Sequence, residues 1–179
     1  MDNKNPIGVS SESRRQLLQG VIGGGAVVAG VSMLTAGGAA AQDGTDMMIE
    51  RRNPNTLEDV SPYGFSHTAG VIGPHKTIQV AGQAGFTDDG PNDFKTQVER
   101  SYENVRKALA PWDAGPENVL KVTMLVVDHD LEKLGVIIST MKAFFGEDLP
   151  AATLIPVTRL AVPPVMAFEV DAFAVVKEG

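Results

Sequence analysis

Between Phe168 and Val176 side chains alternate about an extended chain: Phe168, Val170, Ala172, Ala174 and Val176 fall on one side, Glu169, Asp171, Phe173 and Val175 on the other. A period of two fits a strand and not a helix, so this segment fixes one apolar face that the rest of the chain must bury. The opposite face carries two carboxylates followed by two apolar groups. Such a face suits a surface half buried against something else and half lining a polar pocket, and site chemistry is expected there. Just upstream, Pro150 to Val157 reads as another strand, and Val162-Pro163-Pro164 turns the chain between the two.

The elements before this pair follow from periodicity. Phe94, Val98, Tyr102, Val105 and Leu109 recur at helical spacing with Lys95, Glu99, Glu103 and Lys107 turned outward, which predicts an amphipathic helix capped by the loop ending at Asp93 and stopping before Pro111. Val119 to Val127 is nearly continuous in apolar residues, as a buried central strand should be. Asp128 or Asp130 then caps a second helix with Leu131, Leu134, Ile138, Met141 and Phe145 as its inward stripe and Gly146 at its end. Further back, a strand from Tyr63 to about Ile72 reverses at Gly73-Pro74-His75 and returns as Thr77 to Ala81, a hairpin. Gly82 and Gly85 beyond it allow another backbone or a ligand to come close.

This order predicts an α/β (α+β) domain: a single mixed sheet with two helices on one face. The other face would expose Leu125, Val127, Phe173 and Val175. Closed association of identical copies is the economical way to cover it, with pockets where subunits meet.

Residues 1–41 stand outside that pattern. Arg14-Arg15 precedes an uncharged run, rich in Gly and Ala, that ends at Ala39-Ala40-Ala41, which predicts a twin-arginine export signal cleaved after Ala41. The alternative is an uncleaved membrane anchor, since the run is long enough to cross a bilayer. The cleaved form has an extended arm over residues 42–60 and a domain over residues 61–179, located in the periplasm or otherwise exported from a bacterium. Its partner for export is the twin-arginine translocase, and no membrane contact is expected after cleavage. Without cysteine there is no disulfide, thiolate metal site or thiol nucleophile. His67, His75 and His129 have no paired ligand spacing, so neither metal nor cofactor is expected. A net charge of −7, with no Lys or Arg cluster after Arg52, argues against a nucleic-acid partner, because phosphate neutralisation supplies most of that affinity.

Several short pieces then fall into a familiar order. They are Ser61-Pro62-Tyr63 with Phe65-Ser66-His67, Val80-Ala81-Gly82-Gln83, Tyr102-Glu103-Asn104-Val105, and Val119-Leu120-Lys121-Val122-Thr123 leading to Asp128. Ala143-Phe144-Phe145-Gly146, Leu149-Pro150-Ala151, Leu160-Ala161 and Phe168-Glu169-Val170-Asp171-Ala172 complete the series. In order and spacing the chain resembles the RidA/YjgF family, also called the reactive-intermediate deaminase or L-PSP endoribonuclease family, from about Arg51 to Val176. The resemblance implies a chorismate-mutase-like α/β fold and a homotrimer whose sheets meet as a barrel, with a small-molecule site in each cleft between subunits. Active members hydrolyse 2-imino or enamine acids, products of PLP enzymes, to 2-keto acids and ammonia.

The resemblance also implies roles for particular positions. An arginine directly after Pro-Ala binds the substrate carboxylate with both arms of its guanidinium, and a glutamate of the last strand positions the attacking water. Ala152 stands in the arginine's place, and Glu169 matches the glutamate. Ala81 stands where a small hydroxyl residue usually precedes Gly-Gln. The family's tyrosine falls on Phe65, with Tyr63 as an alternative two residues earlier, and an asparagine of the second helix falls at about Ile137. Gly82 and Thr153 fit the pocket frame. Arg159 lies seven positions beyond Ala152, an odd separation that turns it away and gives it a structural role. The function implied is an exported trimer with clefts for a small metabolite, a divergent imine or enamine deaminase lacking the carboxylate-binding arginine. The alternative is a non-catalytic small-molecule-binding or chaperone-like interaction protein.

Overall fold

The computed structural model describes residues 46–179, and the expected export signal lies outside them. Strand β1 is Met48–Arg52, a turn of 3-10 helix covers Ser61–Tyr63, and β2 (Thr68–Ile72) and β3 (His75–Ala84) follow. Helix α1 spans Phe94–Leu109, β4 Val119–Val127, α2 Leu131–Phe145, β5 Ala151–Val157 and β6 Phe168–Lys177. Both helices and the last three strands lie where periodicity places them. The Asp93 carboxylate accepts from the Thr96 amide at 3.0 Å, which satisfies one of the free N–H groups at the start of α1. Of the two candidate caps for α2 it is Asp130 that serves, accepting from the Lys133 amide at 2.8 Å.

Strands β3, β6, β4 and β5, in that order, make a four-stranded sheet. β4 and β5 run parallel while the other neighbours are antiparallel, so the sheet is mixed. Val98, Tyr102 and Val105 of α1 and Ile137, Met141 and Phe145 of α2 pack with Val122, Met124, Val126 and Val170 of the sheet in one core, which places both helices on the same face. Each such side chain contributes about 1.5–3 kcal/mol by leaving water. Lys121, Thr123, Leu125 and Val127 of β4 alternate with the buried set and are only partly covered, as is Phe173 of β6. That is the open face.

Four expectations are corrected. The sheet is not single: β1, within the segment expected to be an extended arm, pairs antiparallel with β2 as a separate two-stranded sheet. β2 and β3 therefore form no hairpin, because each pairs elsewhere, β2 with β1 and β3 with the ten-residue β6 from His75 to Ala84. On α2 the stripe differs at its start: Leu131 is 83% exposed, whereas Ile137, 1% exposed, joins the expected Met141 and Phe145 in the core. Val175, expected on the open face, is fully buried. At that end of the sheet Arg51 of β1 donates to the Glu117 carbonyl at 2.7 Å and Lys177 pairs with Asp46 at 2.5 Å, so the small sheet is fastened there.

Candidate functional site

At the parallel edge of the sheet a pocket of about 270 Å³ opens between α2 and the segment after the 3-10 turn. Leu134, Ile137, Ile138 and Met141 of α2 form one wall, and Met124, Ala152 and Leu154 of β4 and β5 form the floor. Tyr63 and Phe65 close the third side. Gly64 ends the 3-10 turn at φ 82°, a left-handed conformation glycine takes without a Cβ clash, and this brings the two aromatic residues round to the same pocket. Both candidates for the family's tyrosine position, Phe65 and Tyr63, thus line the pocket. Ser66 holds the segment down by donating its hydroxyl to the Leu149 carbonyl at 2.8 Å, while its amide donates to the Pro150 carbonyl at 2.9 Å. Tyr63 is 46% exposed, and its hydroxyl lies 3.4 Å from Glu58 Oε1.

Of the expected site residues, Phe65, Ile137 and Ala152 line this one pocket. Glu169 does not join them. Ala152 is paired with Val122, and Val122 with Ala172, all on the helix-bearing side, whereas Glu169 pairs with Leu125 on the open side. Within one chain, Ala152 and Glu169 therefore point to opposite faces of the sheet.

Glu169 has its own neighbour. The β3–β6 register slips between Val80 and Gln83, so Ala81 and Gly82 together face Asp171 as a bulge. A Cβ on Gly82 would stand 1.8 Å from Glu169 Oε1. The glycine is the space into which the carboxylate folds. Ala81 is exposed on the same bulge, its carbonyl accepting from the Gln83 side chain at 2.9 Å.

Thr153 also faces the open side, beside Thr123, and its hydroxyl bonds the Lys121 ammonium. Burial pulls that ammonium below the usual lysine range, and nearby Asp171 offsets part of the effect. Lys121 was missed from the sequence. The available signal was its position, a cation one residue out of phase with the apolar Leu120, Val122 and Met124 of a central strand. Arg159 lies beyond β5 on the exposed loop, away from the pocket. Among the described residues no group of His, Asp and Glu side chains converges as metal ligands, and no helix is long and apolar enough to cross a membrane.

The fold and pocket define the class, an α+β domain with two helices on one face of a mixed sheet and a ligand-sized pocket at its parallel edge. The family described as Endoribonuclease L-PSP matches residues 60–176. A RutC family protein of Drosophila melanogaster is 26% identical over 119 residues, 64% of this chain and 81% of that one. Another, from Pyrococcus abyssi, is 34% identical over 83 residues, 46% of this chain and 61% of its own length. Among solved structures, a protein of the Rid family from Yersinia pestis matches with a TM-score of 0.66 at 29% identity, covering 72% of this chain and 98% of that one. This chain belongs to the L-PSP family, that is, the RidA/YjgF family.

Proposed function

We propose that copies of this chain associate, as a homotrimer, so that Gly82 and Glu169 of one copy close the pocket of Phe65, Ile137 and Ala152 in the next, and that a small metabolite binds in the resulting cleft. One observation carries the reading: the two sets of residues face opposite sides of the sheet, so only a second copy brings them together. The partly apolar open face supports association, and the family resemblance supports a cleft between subunits.

Ala152 removes the two-point clamp on which hydrolysis of 2-imino acids depends in active relatives, so ordinary deaminase activity on such acids is not expected. Retained Glu169 favours a second reading, a divergent hydrolase of imines or enamines that lack a carboxylate. An interaction or chaperone-like role needs no cleft chemistry at all. Cleavage of RNA, which the family description suggests, is disfavoured by the net charge of −7. The test is a deaminase assay on freshly generated 2-iminopropionate with an arginine-bearing relative as control. The expected result is no enzymatic turnover, and a rate near the control's would overturn the reading of Ala152.

We also infer export through the twin-arginine route, from Arg14-Arg15 and Ala39-Ala40-Ala41. Replacing both arginines by lysine should hold the precursor in the cytoplasm, and unchanged export would point to another route.

A further inference from the structure

We infer that the pocket takes an uncharged ring compound of roughly indole size, with a hydrogen-bond donor at its outer end, and that it rejects carboxylates. This rests on reading the pocket as a ligand cleft and names the class of ligand. Size comes first. An apolar cavity of about 150 Å³ accepts benzene, and the volume here is about 270 Å³, room for a fused bicyclic ring.

The lining decides polarity. Leu134, Ile137, Ile138, Leu154, Met124 and Ala152 offer only carbon and thioether surface, and Tyr63 brings the one hydroxyl of the lining set. No lining residue is cationic. A carboxylate entering would lose its hydration without a counter-charge, which is the costly case of burial, whereas an apolar ring gains by it. Lys142, on the turn after Ile138, lies beside Gly64 but is exposed and is not a lining residue, so its ammonium does not supply the missing charge inside. Met124 and Met141 stand at two points of the wall, 3% and 2% exposed, with the Met124 sulfur accepting from the Tyr102 hydroxyl at 3.3 Å, so their methyl groups report what enters the pocket.

The mouth sets the outer end of the ligand. Glu58, outside the lining set, lies 3.4 Å from the exposed Tyr63 hydroxyl, and in the assembled cleft Glu169 of a second copy adds another carboxylate. Two acceptors of negative charge repel an anionic end group and receive a donor.

The experiment compares compounds with one ring system and different ends, namely indole, the neutral alcohol indole-3-ethanol and indole-3-acetate. Binding to the full-length protein is followed through the carbon-13-labelled methionine methyl groups, with Met124→Leu and Met141→Leu assigning the two signals. Indole and indole-3-ethanol should shift both signals, and indole-3-acetate should bind roughly tenfold or more weakly. Tight binding of indole-3-acetate at these two methyls would leave the ligand cleft standing and overturn the class. Failure of all three compounds to move either signal would overturn the pocket as a ring site and the cleft reading with it. Ala152→Phe fills the floor and should abolish the shifts. If that variant stays folded and still binds through Met124 and Met141, the assigned position is wrong, while the wild-type titration decides the ligand class even if the variant does not fold.

Discussion

Glu169, Gly82 and Ala152 carry the argument at the scale of single residues. Ala152→Arg would place a forked cation at the pocket floor, where it can take both oxygens of a carboxylate in a geometry lysine cannot offer. The expected outcome is 2-imino acid hydrolysis at roughly a hundredfold or more above the uncatalysed background in a steady-state assay, the scale of a placed electrostatic group. No gain would show that Phe65 or Ile137 obstructs the pose or that Glu169 plays no part. Gly82→Ala probes the other half. Its methyl would overlap the Glu169 carboxylate, the far end of a flexible side chain, so the carboxylate should swing away while the fold adjusts. In the Ala152→Arg background this change should abolish the gained activity with little loss of thermal stability. A large stability loss would mean that the bulge, not the carboxylate, is being disturbed. The alternation from Phe168 to Val176 placed Glu169 on its face directly. What the sequence could not reveal was the face of Ala152 relative to it, because faces on different strands are linked only by sheet register. Register depends on pairing between residues far apart in the chain.

The helices were legible as elements because a period near 3.6 is local information, and Asp93 and Asp130 mark their starts where side-chain capping requires an acceptor. β1 was not, since Met48–Arg52 holds three charged residues and is a strand only through its pairing with β2. Leu131 was misplaced for another reason. The first residue of α2 sits beside its cap at the helix end, where a stripe extrapolated from the middle no longer meets the core. Between elements, Gln97 is the main clip. Only 2% exposed, it donates from Nε2 to the carbonyls of Asn92 at 2.8 Å and Val165 at 3.0 Å, and its Oε1 accepts from the Ala167 amide at 2.9 Å. It thereby ties the start of α1 to the loop that leads into β6 and Glu169. Gln97→Leu keeps the volume but strands those backbone groups, each of which costs about 1–3 kcal/mol when buried without a partner. Urea denaturation should report a loss of at least about 2 kcal/mol, and a loss below about 0.5 kcal/mol would mean that water replaces the clip.

At the scale of the whole molecule, the open face sets the problem. Leu125, Val127 and Phe173 lie partly uncovered there, and Ile155 is 41% exposed. The same face carries Lys121 bonded to Thr153, with Asp171 beside them. A partly apolar surface with a fixed polar centre suits closed association better than solvent, and a head-to-tail ring is how identical copies close as three, so sedimentation of the protein without residues 1–41 at micromolar concentration should give a trimer, and a monomer would contradict it. The sharper test asks whether one cleft draws on two copies. Wild-type protein has Glu169 but no arginine at 152, and the double variant Ala152→Arg/Glu169→Gln has the arginine but not the carboxylate. Neither should hydrolyse a 2-imino acid by itself. When the two are co-expressed with different tags and the mixed assemblies isolated, some interfaces join the arginine of the variant to Glu169 of the wild type. In a mixed ring of three this holds for one cleft of the three, whichever chain is in excess, so activity should appear at roughly a third of the Ala152→Arg homo-oligomer's rate. Silence of the mixed assemblies, with Ala152→Arg itself active, would place both groups in a cleft of a single chain, which the opposed faces of β5 and β6 forbid without a rearranged sheet.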